Sequence, residues 1–104
     1  MDITVQELKE RMDKGEAIHL IDVREPYEHE EFNIGGLLCP LGDVMRAIEE
    51  MSEHKAEEIV VYCRSGRRSD TAKQLMQQAG YQNVRNLLGG MLDWQEALGG
   101  SYVI

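Results

Sequence analysis

The residues of this chain best equipped for chemistry are Cys63-Arg64-Ser65-Gly66-Arg67-Arg68-Ser69. A thiol stands among three arginines, two hydroxyls and a glycine. A free cysteine ionises near pH ~8.5, and cationic surroundings or a helix N-terminus lower that to about 3.5–7.5. Glycine lets a tight loop turn successive backbone N–H groups toward one point, which makes a cradle for an anion. The spacing predicts an ionised, nucleophilic Cys63, with Arg64, Ser65, Gly66, Arg67, Arg68 and Ser69 binding an anionic substrate around it. A buried, inert cysteine beside a solvated basic turn is the bland alternative, and three adjacent arginines argue against it.

The flanking segments set that thiol in place. Ile59-Val60-Val61-Tyr62 is short, apolar and mostly β-branched, and reads as a buried strand. After the loop, Ala72, Leu75, Met76 and Ala79 recur at helical spacing and Gly80 supplies a stop. Strand, cysteine loop and helix in that order put the sulfur at the carboxyl end of a strand and the amino end of a helix, where open α/β sheets bind ligands. The remainder repeats the alternation. Thr4-Val5-Gln6-Glu7 is a capping box opening a helix with Val5, Leu8 and Met12 on its apolar face. Ala17 to Val23 reads as a strand, Pro26 to Phe32 as a short helix opened by proline, and Leu37-Leu38-Cys39 as a short strand after a Gly35-Gly36 turn. Gly42-Asp43 begins a helix carrying Val44, Ile48 and Met51. Asn83 to Leu88 reads as a strand, and Met91, Leu92, Trp94 and Leu98 belong to a last helix. Such alternation implies a mainly parallel sheet with helices on both faces.

The 104 residues are read as one domain, residues 1–104, able to bury a core without disulfides or metal. A net charge of −8 argues against nucleic-acid binding. The charge is uneven: residues 63–85 hold five basic residues and one acid, whereas residues 49–58 hold five glutamates and one lysine. An acidic body with one basic spot suits a small anion. No segment has the length of a membrane span or the pattern of a signal peptide, so a cytoplasmic location and no membrane partner are expected. Cys39, in the apolar run Leu37-Leu38-Cys39-Pro40-Leu41, reads as a small core residue, its alternative being a resolving thiol for Cys63. His19, His29 and His54 show no metal-ligand spacing, and His29 among glutamates reads as a solvated helix face.

Taken together and in order, Leu20-Ile21-Asp22-Val23-Arg24-Glu25, Glu31-Phe32, Ile34-x-Gly36, Val60-Val61-Tyr62-Cys63 with its loop to Ser69, Val84-x-x-Leu87-x-Gly89-Gly90 and Trp94 resemble a single-domain rhodanese-like sulfurtransferase of the thiosulfate type. The resemblance implies a three-layer α/β fold with a five-stranded parallel sheet, order 1-5-4-2-3. It also implies a Cys63 persulfide that carries sulfane sulfur from thiosulfate, or another persulfide donor, to a thiophilic acceptor such as cyanide, a thiol or a protein. No cofactor is called for. The chain departs from the family's Gly-His-Ile-Pro-Gly-Ala pattern at Asn33-Ile34-Gly35-Gly36-Leu37, where the histidine and proline are missing.

Asp22 and Arg24, at the end of the neighbouring strand in the family order, read as a satisfied ion pair supporting the loop, because a carboxylate close to sulfur would oppose thiolate formation. Trp94 reads as core. Two rival functions remain. One is a sulfur-relay or docking module for a specific protein partner. The other is a cysteine-loop phosphatase or arsenate reductase. That class places five residues between cysteine and arginine, a position that here is Ser69, with Arg68 one residue early.

Overall fold

Val60 and Tyr62 point to one side of the strand that contains them, and Ile59 and Val61 to the other, yet all four are buried. A strand covered on both faces is what a continuous apolar run requires. The structure, a computed structural model, describes residues 1–98. Its parallel sheet has four strands: β1 (His19–Asp22), β2 (Leu37–Leu38), β3 (Glu58–Tyr62) and β4 (Asn83–Asn86), in the order β2-β1-β3-β4. Among the described residues five α-helices surround it: α1 (Val5–Asp13), α2 (Pro26–Glu31), α3 (Val44–Glu50), α4 (Arg67–Gln78) and α5 (Gly90–Leu98). One core layer joins Ile59 and Val61 to Val44, Ala47 and Ile48 of α3 and Ala72 and Met76 of α4. The opposite layer joins Val60 and Tyr62 to Val5 and Leu8 of α1 and Met91 and Trp94 of α5. Each such aliphatic side chain removed from water contributes about 1.5–3 kcal/mol.

The sheet has four strands where five were expected. Ahead of α1 only Ile3 pairs, through a single parallel bridge to Leu87 just past β4. Thr4 ends that segment, because its Oγ1 accepts the Glu7 N–H at 3.1 Å and starts α1 two residues after the bridge. The capping box is half formed, since the Glu7 carboxylate turns to Arg85 at 3.1 Å. β1, β2 and β4 are shorter than the runs read for them, β1 beginning at His19, β2 ending at Leu38 and β4 ending at Asn86, whereas β3 gains Glu58. The helix expected from Gly42 is preceded by a 3₁₀ turn over Leu41–Asp43. The sequence ends on Ser101-Tyr102-Val103-Ile104, apolar for a tail and so expected to be tied to the domain or to a neighbour; this stretch lies outside the described residues.

Register lines up the carboxyl ends of three strands. Asp22 of β1 is paired with Leu38 of β2 and with Tyr62 of β3. Cys63 therefore leaves the sheet level with Val23 and Cys39. The chain before Leu37 passes close over β1. Gly36, at φ +91°, has its Cα so near Leu20 that an added Cβ would lie 2.5 Å from the Leu20 carbonyl oxygen. That approach and the left-handed backbone both require glycine at position 36.

Candidate active site

Cys63 follows the last residue of β3, and its side chain is covered by the start of α4. Gly66 is the residue before α4 and takes φ +98°, a left-handed conformation open to glycine at little cost. That turn directs the Gly66 N–H to Sγ at 3.1 Å, and one helical turn later the Ser69 N–H reaches the same atom at 3.4 Å. The sulfur thus occupies the place of an N-capping side chain, receiving N–H groups that the first turn of a helix leaves without partners. The Ser69 hydroxyl lies 3.3 Å from Sγ. Burial pushes the thiol's pKa up, but the Ser69 hydroxyl and the N–H groups of Ser69, Gly66 and Ser65 outweigh it, leaving Cys63 below the usual thiol range. Burial and a favoured thiolate coexist here because the donors come from backbone.

Asn86, at the end of β4, was missed in the sequence. It is 5% exposed, its Nδ2 donates to the Gly66 carbonyl at 3.0 Å, and its Oδ1 accepts from the Ser69 hydroxyl at 2.5 Å. One amide therefore ties together the two loop positions that face the sulfur. β4 reads Asn83-Val84-Arg85-Asn86, a mostly polar stretch in which nothing local marks Asn86 out; only its place beside β3 brings it to the cysteine loop. From the other side α5 closes the loop. The Met91 N–H donates to the Cys63 carbonyl at 2.9 Å and the Leu92 N–H to that of Arg64 at 3.0 Å.

The three arginines part ways. Arg68 turns back onto Glu28 of α2, with two parallel hydrogen bonds of 2.7 and 2.9 Å. Arg68 holds the Glu28 carboxyl at about 2, against the resistance of burial. Arg64, Ser65 and Arg67 are exposed and form the rim of the loop. Beside Arg64 a small open cavity of about 140 Å³ is lined by Arg24, Glu28, Phe32, Leu92 and Gln95 among others.

Asp22 and Arg24 form the ion pair expected of them. Asp22 is fully buried and accepts from the Arg24 backbone N–H, Nε and Nη2 at 2.8–3.0 Å. Arg24 Nη2 also donates to the Phe32 carbonyl at 2.7 Å, which fastens the end of α2 to β1. His29 is not a solvated residue as read from its glutamate neighbours. It is half-buried, with Nδ1 at 2.8 Å from Asp22 Oδ2. Trp94 is fully buried. Cys39 is fully buried too, its thiol donating to the Asp43 carbonyl at 3.3 Å. Both cysteines are free. They flank Val23 on opposite sides of β1, two strand spacings or about 10 Å apart, too far for a disulfide without backbone movement. Cys39 is a core residue.

Residues 4–97 match the family model of the rhodanese-like domain. The chain belongs to the rhodanese-like domain family. It is 37% identical over 94 residues to YrkF of Bacillus subtilis, covering 89% of this chain and 50% of YrkF. It is 36% identical over 78 residues to the thiosulfate sulfurtransferase PspE of Escherichia coli, covering 74% of each. Among solved structures, the rhodanese-like domain protein from Staphylococcus aureus superposes with a TM-score of 0.80 at 25% identity, over 90% of this chain and 91% of that one. The rhodanese-like domain thus spans half the length of one curated relative and most of another. Membership and these relatives support sulfur transfer as its general chemistry. Among the described residues, no helix is long and apolar enough to cross a membrane.

Proposed function

We propose that this chain, read as a single rhodanese domain over residues 1–104, moves a sulfane sulfur from a thiosulfate-like donor to a thiophilic acceptor through a persulfide on Cys63. The observation that carries the reading is the sulfur itself, ringed by Gly66 N–H, Ser69 N–H and Ser69 Oγ within 3.4 Å and favoured as thiolate. The Cys63 thiolate attacks the outer sulfur of thiosulfate. The S–S bond of the donor breaks and its electron pair leaves with sulfite. The persulfide left on Cys63 then gives its terminal sulfur to cyanide or a thiolate, and the Cys63 thiolate returns. No net oxidation of the protein occurs over the two displacements, and ping-pong kinetics follow. The N–H cradle stabilises the anionic sulfur at each stage. Arg64 and Arg67, on the rim, attract the sulfonate end of the donor. Arg68 acts chiefly through Glu28, holding α2 against the loop. Cys63 is 1% exposed, so the rim must yield for the donor to reach it. No cofactor takes part, and a cytoplasmic site of action fits a thiol kept reduced.

A relay to a protein acceptor is the second reading, supported by the description of YrkF as a candidate sulfur carrier protein. The open cavity beside Arg64 offers an acceptor thiol a place to approach. The test is an intact mass spectrum before and after thiosulfate, without reductant. A gain of one sulfur atom, lost on adding cyanide and absent from Cys63→Ser, is expected. A Cys63→Ser protein that still turns over at the wild-type rate would end the assignment. No sulfur gained from thiosulfate, with gain from a protein persulfide, would favour the relay, and turnover of a phosphate ester would favour the phosphatase class.

A further inference from the structure

Three polar side chains converge at the end of the sheet opposite Cys63. His19 opens β1, His54 closes a 3₁₀ turn over Ser52–His54, and Glu57 immediately precedes β3. In sequence His19 stands 35 residues from His54, so no ligand spacing was visible. The parallel pairing of His19 with Ile59 brings them together. His19 Nε2 lies 2.9 Å from Glu57 Oε1, and His54 Nδ1 lies 2.6 Å from Glu57 Oε2. One donor atom from each residue falls in a group whose members are all within 4.8 Å of one another. The two imidazole rings are tilted at 46° to each other with centroids 4.9 Å apart.

We infer that His19, His54 and Glu57 bind a divalent transition-metal ion of the zinc class, with water completing its coordination. Two imidazoles and one carboxylate are a ligand set that zinc takes with an open position. Zn–N and Zn–O bonds of about 2.0–2.2 Å put tetrahedral ligand atoms roughly 3.3 Å apart. The imidazole–carboxylate separations are already near that value. The remaining closure falls to two half-exposed histidine side chains that can rotate.

The surroundings favour a cation. Glu58, the next residue, is held by Arg11 and Arg85, whereas Glu57 has the two histidines as its partners. On the far side of His54, Nε2 lies 3.8 Å from Glu53 Oε1. With Nδ1 on the metal, the proton of His54 resides on Nε2, toward that exposed carboxylate, whose charge adds to the field favouring a cation. The glutamates of residues 49–58 add negative field. β3 separates this end from Cys63 by about 16 Å at ~3.3 Å per residue, so the ion braces β1 to the segment before β3 and takes no part in sulfur transfer. The inference is independent of the sulfur chemistry.

The test uses Cys63→Ser protein, because a thiolate would itself hold zinc. Titration calorimetry with zinc chloride is expected to give one bound ion per chain. The thermal midpoint is expected to rise with zinc concentration, as it must for any ligand of the native state alone. His54→Gln and Glu57→Gln, added separately, should each weaken binding by at least about tenfold and abolish the midpoint rise at the same zinc concentration. Glu57→Gln keeps the shape of the side chain and so guards against a loss that comes from misfolding. No heat of binding, or an affinity that both variants leave unchanged, would overturn the site.

Discussion

Ser69 has one hydroxyl proton and two acceptors within reach, Cys63 Sγ at 3.3 Å and Asn86 Oδ1 at 2.5 Å. Because Asn86 Nδ2 is committed to the Gly66 carbonyl, its oxygen cannot turn away from Ser69. When Cys63 is a thiol, the chain S–H to Ser69 to Asn86 satisfies every group. When it is a thiolate, the hydroxyl turns to sulfur, and backbone N–H groups share the charge. The protonation state of Cys63 is thus written into the direction of one O–H bond. Ser69→Ala removes the donor that does most to offset burial, so the thiol pKa must rise and the reactive form must retreat to higher pH. The expected result is an alkaline shift in the pH midpoint of iodoacetamide alkylation, with severalfold slower sulfur transfer at neutral pH. An unmoved midpoint would show that the backbone alone sets the ionisation. Asn86 was invisible in the sequence for a related reason. Its role depends on β4 lying beside β3, and no local spacing connects residue 86 with residue 63.

The elements around the loop were legible wherever burial and period coincide. Ile59 to Tyr62, the helix after Gly66, and the capping threonine at position 4 all announce themselves locally. Long-range partners escaped: the His29–Asp22 contact, the Arg68–Glu28 pair and the meeting of His19 with His54 each join segments that only the fold brings together. The expected first strand also failed, because the helix cap at the very next residue, Thr4, leaves Ile3 room for a single bridge. Leu88 and Gly89 turn the chain between β4 and α5, and Gly90 carries a stricter duty. Gly90 has φ +54°, and a Cβ there would lie 2.3 Å from the Cys63 carbonyl oxygen and 2.7 Å from that of Arg64. α5 must press on the cysteine loop at this point for its first N–H groups to reach those carbonyls. Gly90→Ala is therefore expected to cost about 2–4 kcal/mol, combining overpacking with a left-handed backbone. The urea midpoint should fall accordingly, and sulfur transfer should drop more than the loss of folded protein explains. A variant as stable and active as the wild type would mean that α5 can lift away without consequence.

At the scale of the whole molecule, a surplus of acid is organised into a few cross-links. Glu58 at the start of β3 accepts from Arg11 of α1 at 2.7 Å and from Arg85 of β4 at 2.8 Å, so one carboxylate binds a helix and two strands. Arg11 lowers its pKa most, Arg85 adds to this, and burial opposes both, leaving the group at about 2 against an ordinary 4.5. Glu28 is held at about 2 by Arg68 in the same way, and there the link runs from α2 to the cysteine helix. A carboxyl with a depressed folded pKa contributes stability that is full above its unfolded value and disappears as pH falls toward its folded value. The sensitive window therefore lies between about pH 4.5 and 2. Solvent screens both pairs, which reduces each contribution to on the order of 1 kcal/mol. Glu58→Gln should be less stable than wild type at neutral pH and should lose less on acidification, since an amide has no proton to gain. Two urea titration series across the window, one for each protein, should converge as pH falls. Parallel curves would mean that Glu58 is as easily protonated in the folded chain as in the unfolded one, and that acid sensitivity arises elsewhere, with the Glu28–Arg68 link the next to test.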